Sequence, residues 1–205
     1  LHCCTDPMPP GWMNITNDPG FASALSGDYR LTLGSPCVDA GTNILTITND
    51  LDGVSRPLDG DNDTTAAMDI GAYESIHPSA DTDADQMPDG WEVGNDLDPL
   101  TDDADQDPDG DTMNNGGEYV ADTNPHDPQS VLSVINVAAE LGGIRLDWKG
   151  GRDAWQFLEC RRDLTSTAEQ WTAILAVPRP TPLTNAIIDL GATNRTSFYR
   201  IRTER

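Results

Sequence analysis

Apolar and polar residues alternate most cleanly in the last third of the chain. "GIRLDW" sets Ile144, Leu146 and Trp148 on one face of an extended segment. "WQFLEC" sets Leu158 and Cys160 on one face and Trp155, Phe157 and Glu159 on the other. "WTAIL" (171–175), "NAIIDL" (185–190) and "SFYRIR" (197–202) continue the series. Five or more short strands separated by turns predict a small β-sandwich over 131–205. Near the other end, "DYRLTLGSPCVDAGT" alternates Tyr29, Leu31 and Leu33 and then breaks at Gly34 and Pro36. The apolar runs at 43–48 and 68–74 are short and irregular, too weak for a self-contained sandwich. With 15 Pro, 18 Gly and no long helical period, the chain reads as turn-rich and mainly β. No run of about 18 apolar residues occurs, so no helix of this sequence inserts into a bilayer.

Charge divides the chain further. Residues 1–80 hold 11 acids and 2 bases, 81–130 hold 16 acids and no base, and 131–205 hold 8 acids and 10 bases. The connectors "SIHPSA" (75–80) and "NPHDPQS" (124–130) fall at the same boundaries. Three segments follow: 1–76, 77–130 and 131–205. The net charge of −23 argues against nucleic acid and anionic membrane surfaces, both of which repel a polyanion, and favours cations as partners.

The acidic middle carries the chemistry. A hard cation such as calcium takes about six to eight oxygens at roughly 2.3–2.6 Å. A short loop supplies them from positions 1, 3, 5, 7, 9 and 12, with a backbone carbonyl at 7 and a glutamate at 12. In "DTDADQMPDGWE" those positions are Asp81, Asp83, Asp85, Met87, Asp89 and Glu92. In "DPDGDTMNNGGE", 26 residues on, they are Asp107, Asp109, Asp111, Met113, Asn115 and Glu118. Most charge runs are solvated linkers. A linker has no reason to place glutamate twelfth twice, nor to carry Trp91, Leu97, Leu100 and Tyr119. One feature departs from the usual loop. Position 6, commonly glycine, is Gln86 and then Thr112, which resist positive φ and predict a less sharp turn.

Three resemblances follow from quoted residues. "NITNDPGFASALSGDYRLTLGSPCVDAGTN", "NDLDGVSRPLDGDN" and "MDIGAYE" resemble the C-terminal end of bacterial right-handed parallel β-helix proteins over 12–74. That resemblance implies the last coils and cap of a solenoid, with the other coils upstream, and a segment that leans on neighbours for burial. Residues 81–128 resemble thrombospondin type 3 repeats, in which ions stand in for a hydrophobic core. Asp102, Asp103, Asp105 and Asp127 are then further candidate ligands. "LDWKGGRDAWQFLECRRDLTSTAEQWTAIL" with "SFYRIR" resembles the fibronectin-type-III-like terminal modules of bacterial surface proteins. The combined expectation is terminal coils and cap of a parallel β-helix, a calcium-bound loop-rich stalk and a small C-terminal β-sandwich.

The cysteines are Cys3, Cys4, Cys37 and Cys160, with no CxxC spacing for zinc. A bridge from Cys3 or Cys4 to Cys37 and a set of buried thiols are equally open readings, whereas Cys160 lies in a strand-like run as a core residue. His2, His77 and His126 stand beside no plausible nucleophile, and no GxSxG, HExxH or phosphate-binding loop occurs. The expected function is therefore a non-catalytic, calcium-binding structural or adhesive module with two or more Ca2+ ions. Millimolar extracellular calcium suits such sites and places the protein outside the cell or on its surface. Self-association through the β-helix end, up to a filament, is one expected partnership. The alternative is a glycan-binding accessory region of a secreted β-helix lyase or hydrolase. There Trp148, Trp155 and Trp171 would be sugar platforms; core filling is the commoner role for tryptophan in a small sandwich.

Overall fold

The computed structural model describes residues 3–5, 14–165, 170–192 and 196–205. His2 and residues 12–13, where the β-helix resemblance begins, lie outside that set. Among those residues the fold is mainly β, with two short α-helices, and the chain divides into two compact units, Leu1–Ala104 and Asp105–Arg205. One twelve-residue acidic loop belongs to each unit.

The second unit is built on β3 (Ser133–Glu140), β4 (Gly143–Lys149), β5 (Trp155–Arg161), β6 (Thr172–Val177), β7 (Thr184–Asp189) and β8 (Phe198–Glu204). They form two antiparallel three-stranded sheets, β3-β4-β7 and β6-β5-β8. Leu146 and Trp148 from one sheet meet Leu158 from the other, and Ile144, Ile174, Leu175, Val177, Ile187, Tyr199 and Ile201 pack around them. The alternation in "GIRLDW" and "WQFLEC" accounts for this core. Of the three tryptophans, Trp148 alone is a core residue; Trp155 is exposed, and Arg200 lies over the ring of Trp171. Burying Trp148 requires a partner for its N–H, and Gln156 Oε1 accepts it at 2.8 Å. The amide of Gln156 in turn donates to the Gly151 carbonyl at 2.9 Å. The strand β3 is absent from the sequence expectation because Val134, Ile135 and Val137 leave no alternating pattern and stay exposed at the end of a sheet.

A helix, α2 (Asn115–Ala121), is fastened to these sheets. Its C-cap Asp122 accepts from the N–H groups of Arg152 and Asp153 at 2.9 and 2.8 Å and pairs with Arg205 at 3.3 Å. Gly151 is required there: a Cβ would lie 1.9 Å from the Asp122 carbonyl oxygen.

The first unit has little sheet. A hairpin of β1 (Phe21–Ser23) and β2 (Asp28–Leu31) stands beside irregular chain and the helix α1 (Asp89–Gly94). The runs at 43–48 and 68–74 form no strand, and Ile44, Leu45 and Ile47 remain exposed. Among the described residues every strand pair is antiparallel, and one isolated parallel bridge joins Cys4 and Ile15. A small core of Cys37, Val38, Leu58 and Met68 is supplemented by a buried polar network. Arg56 pairs with Glu74, with Nε–Oε1 at 2.8 Å, and Glu74 also accepts from the Asp69 N–H at 3.0 Å. Asp50 accepts from the Glu74 N–H at 3.0 Å. The quoted segments "NDLDGVSRP" and "MDIGAYE" are thus two halves of one network. None of the four cysteines forms a disulfide. No bridge reaches Cys37: Cys4 donates to the Asn17 carbonyl at 3.0 Å, while burial, with Cys4 alongside, pushes the Cys37 thiol up to about 12. Cys160 is buried, as expected of a core residue.

Candidate metal centre

The two acidic loops have the same backbone, displaced by 26 residues. At position 6 the Gln86 N–H donates to Asp81 Oδ2 at 2.9 Å, and the Thr112 N–H donates to Asp107 Oδ2 at 3.0 Å. At position 5 the Asp85 N–H reaches Asp83 Oδ1 at 3.2 Å and the Asp111 N–H reaches Asp109 Oδ1 at 3.1 Å. At position 7 the N–H groups of Met87 and Met113 donate to Asp85 and Asp111, each at 2.8 Å. At position 9 the Asp89 N–H closes on the Ala80 carbonyl at 2.9 Å and the Asn115 N–H on the Gln106 carbonyl at 2.8 Å. Position 4 has positive φ in both loops (65° at Ala84, 76° at Gly110), and so does position 6 (78° at Gln86, 82° at Thr112). The expected blunting of the turn therefore does not occur. Residues that resist left-handed backbone adopt it, held by the N–H donated into the first aspartate.

These bonds aim the carboxylates inward. Asp81, Asp83 and Asp85 bring oxygens within 4.8 Å of one another, as do Asp107, Asp109 and Asp111. Position 12 rides on the short helix that leaves each loop. Glu92 on α1 and Glu118 on α2 are 0% exposed. Neither oxygen of either glutamate has a hydrogen-bond partner, and one oxygen each of Asp83, Asp109 and Asp111 shares that condition. Buried carboxylates without donors are costly, and like charges nearby add to the cost. Burial, then Asp83, Asp85, Asp89 and Asp103, pushes Glu92 up to about 9. Burial, opposed by the Thr123 side chain and aided by Asp109, Asp111 and Asp107, pushes Glu118 up to about 7. Burial and Asp85 push Asp83 up to about 6. Converging oxygens, orphaned and without a basic side chain among residues 81–130, form a donor set that fits a hard divalent cation.

The structure places the remaining candidates as follows. Asp89 is buried, but Thr82 donates to both of its oxygens, from N and Oγ1, at 2.7 Å each. Asn115 is buried at the start of α2, and the Met87 side chain is fully buried. Asp103 joins the centre from outside the twelve-residue frame: its carboxylate groups with those of Asp85 and Glu92 within 4.8 Å. Asp102 and Asp127 are exposed, and Asp105 accepts from the Asn114 side chain at 3.3 Å.

A third group, Asp39, Asp59 and Asp61, was not among the sequence candidates. Its turn repeats the loop geometry. The Asp63 N–H donates to Asp59 and Asp61, the Thr64 N–H donates to Asp59 Oδ2 at 2.8 Å, and φ is 62° at Asn62 and 74° at Thr64. The aspartates at 59, 61 and 63 were its signal. The missing twelfth glutamate hid it, and Asp39 approaches from a different part of the chain.

His77 Nδ1 accepts the Ser79 N–H at 3.2 Å, and His126 is exposed. Comparison with protein-family models, curated proteins and solved structures gives no match, so the resemblances rest on the quoted residues alone.

Proposed function

We propose that this chain is a non-catalytic calcium-binding module of a bacterial surface or secreted protein, in which ions supply the order that apolar burial does not. The observation that carries this reading is the pair of fully buried glutamates, Glu92 and Glu118, whose oxygens have no donor and sit at the twelfth position of matching loops. Oxygen-only ligands favour calcium over zinc or copper, which take nitrogen and sulfur. Ligands spread over a dozen residues converge only in the folded loop, so binding energy acts as folding energy. In this reading residues 77–130 are the calcium-dependent stalk, 131–205 a fibronectin-type-III-like module, and 1–76 the end of a parallel β-helix. Exposed Leu25, Leu45 and Leu51 support that last assignment, since stacked coils or a second copy would bury them.

Limited proteolysis with and without chelator, read by mass spectrometry, tests this function. Chelation is expected to open cleavage near Trp91 and Tyr119 while the sheets at 131–205 stay protected. Equal protection of residues 81–118 in both conditions defeats the reading. One observation favours a glycan-binding role as well: exposed Trp155 stacks on Phe157, with ring centroids 6.2 Å apart. Polysaccharide retention that Trp155→Ala abolishes is its test.

A further inference from the structure

The two repeats share a backbone but not a charge. In register, Asp89 faces Asn115, and Asp103 faces Gln129. The hydrogen bonding keeps that register beyond the loops: the Leu97 N–H closes on the Glu92 carbonyl at 2.9 Å and the Thr123 N–H on Glu118 at 3.0 Å. Farther on, the Thr101 N–H closes on Asp98 at 3.0 Å and the Asp127 N–H on Asn124 at 3.1 Å. The substitution of amide for acid is therefore made in matching places.

Its effect on the first site is direct. The Asp103 N–H donates to Asp85 Oδ2 at 3.3 Å, which holds its carboxylate beside Asp85 and Glu92. Asp103 is buried, and Glu92 presents two donorless oxygens to the same group. In the second repeat Gln129 is exposed, its backbone carbonyl accepts from Lys149 Nζ at 2.6 Å, and only Asp107, Asp109 and Asp111 group there.

We propose that the two calcium sites are unequal, that Asp103 is an additional ligand confined to the first, and that the first fills at lower calcium than the second. The proposal rests on the calcium reading above. Affinity in oxygen-ligand loops follows the number of charged ligands and the rigidity of the site. The first site gathers Asp81, Asp83, Asp85, Glu92 and Asp103. The second gathers Asp107, Asp109, Asp111 and Glu118, with Gln129 at the place of Asp103.

The test is a calorimetric calcium titration of the full chain after chelation. Wild type is expected to show two resolved steps, their midpoints about ten-fold or more apart. Glu92→Gln removes the tighter step and Glu118→Gln the weaker one. Asp103→Gln, which gives the first repeat the second's residue, weakens the tighter step about ten-fold and leaves the other in place. Two equal steps, loss of the tighter step in Glu118→Gln, or an unmoved tighter step in a folded Asp103→Gln chain overturns the proposal while leaving calcium binding intact. If Asp103→Gln fails to fold by circular dichroism, the two glutamine variants still decide which site fills first. Absence of any binding heat together with absence of bound metal defeats the underlying reading instead.

Discussion

The backbone N–H of Gln86 donates to Asp81 Oδ2 at 2.9 Å while Gln86 itself holds φ at 78°. The bond closes the first acidic loop and offsets a backbone strain that glycine would not incur. Replacing Gln86 with glycine keeps the N–H and removes the Cβ clash, which is expected to raise the stability of the calcium-loaded chain by up to about 1 kcal/mol. Thr112, at φ 82° and β-branched, carries more strain, so Thr112→Gly gains more. Urea midpoints of the two variants in excess calcium check both the sign and the order.

The first unit depends on a buried ion pair. The side chains of Arg56 and Glu74 are 7% and 1% exposed, and Glu74 also accepts from the Asp69 and Leu58 N–H groups. Glu74→Gln strands the Arg56 charge in that interior and is expected to destabilise this unit by about 3–5 kcal/mol. The sheets of the second unit keep their own core and are expected to unfold at the unchanged denaturant concentration. A denaturation curve followed by circular dichroism, with tryptophan fluorescence in a Trp12→Phe, Trp91→Phe background that leaves emission only to the second unit, separates the two.

The acidic centres set a pH dependence that bound calcium is expected to reverse. In the metal-stripped chain burial raises Glu92 to about 9 and Glu118 to about 7, both above their ordinary value of 4.5. The folded chain therefore binds more protons than the unfolded one. The stabilisation is fully present below the unfolded value and is lost as pH rises through about 7 and then about 9. With chelator present, the urea midpoint is expected to fall between about pH 5 and about pH 8. With calcium present it is expected to rise over the same range, because the ion requires ionised carboxylates. Parallel curves in the two conditions contradict this.

The loops were legible in the sequence because their ligands sit at fixed spacing within twelve residues. The core of the second unit was legible because Ile144, Leu146 and Trp148 alternate against Leu158. What escaped depends on contacts distant in sequence. Asp39 joins Asp59 and Asp61 from about twenty residues away, and Asp103, expected only through the resemblance, meets Asp85 and Glu92 from beyond the twelve-residue frame. Nor does the twelve-residue frame show that Thr82 donates to both oxygens of Asp89. Propensity misjudged position 6, since the hydrogen bonds into Asp81 and Asp107 outweigh the preference of Gln86 and Thr112 for negative φ. Strand propensity in "NILTIT" came to nothing because no neighbouring strand pairs with it among the described residues.

Calcium uptake by the intact, chelator-stripped chain is the most direct measurement, made by equilibrium dialysis with elemental analysis of the bound metal. At least two calcium ions per chain are expected at millimolar calcium, the level of the extracellular modules. Asp85→Ala is expected to remove binding at the first loop and Asp111→Ala at the second, with both sites lost in the double variant. A calcium count in the double variant equal to that of the wild-type chain, or none in the wild-type chain, contradicts the assignment of Glu92 and Glu118 as the closing ligands of two metal loops.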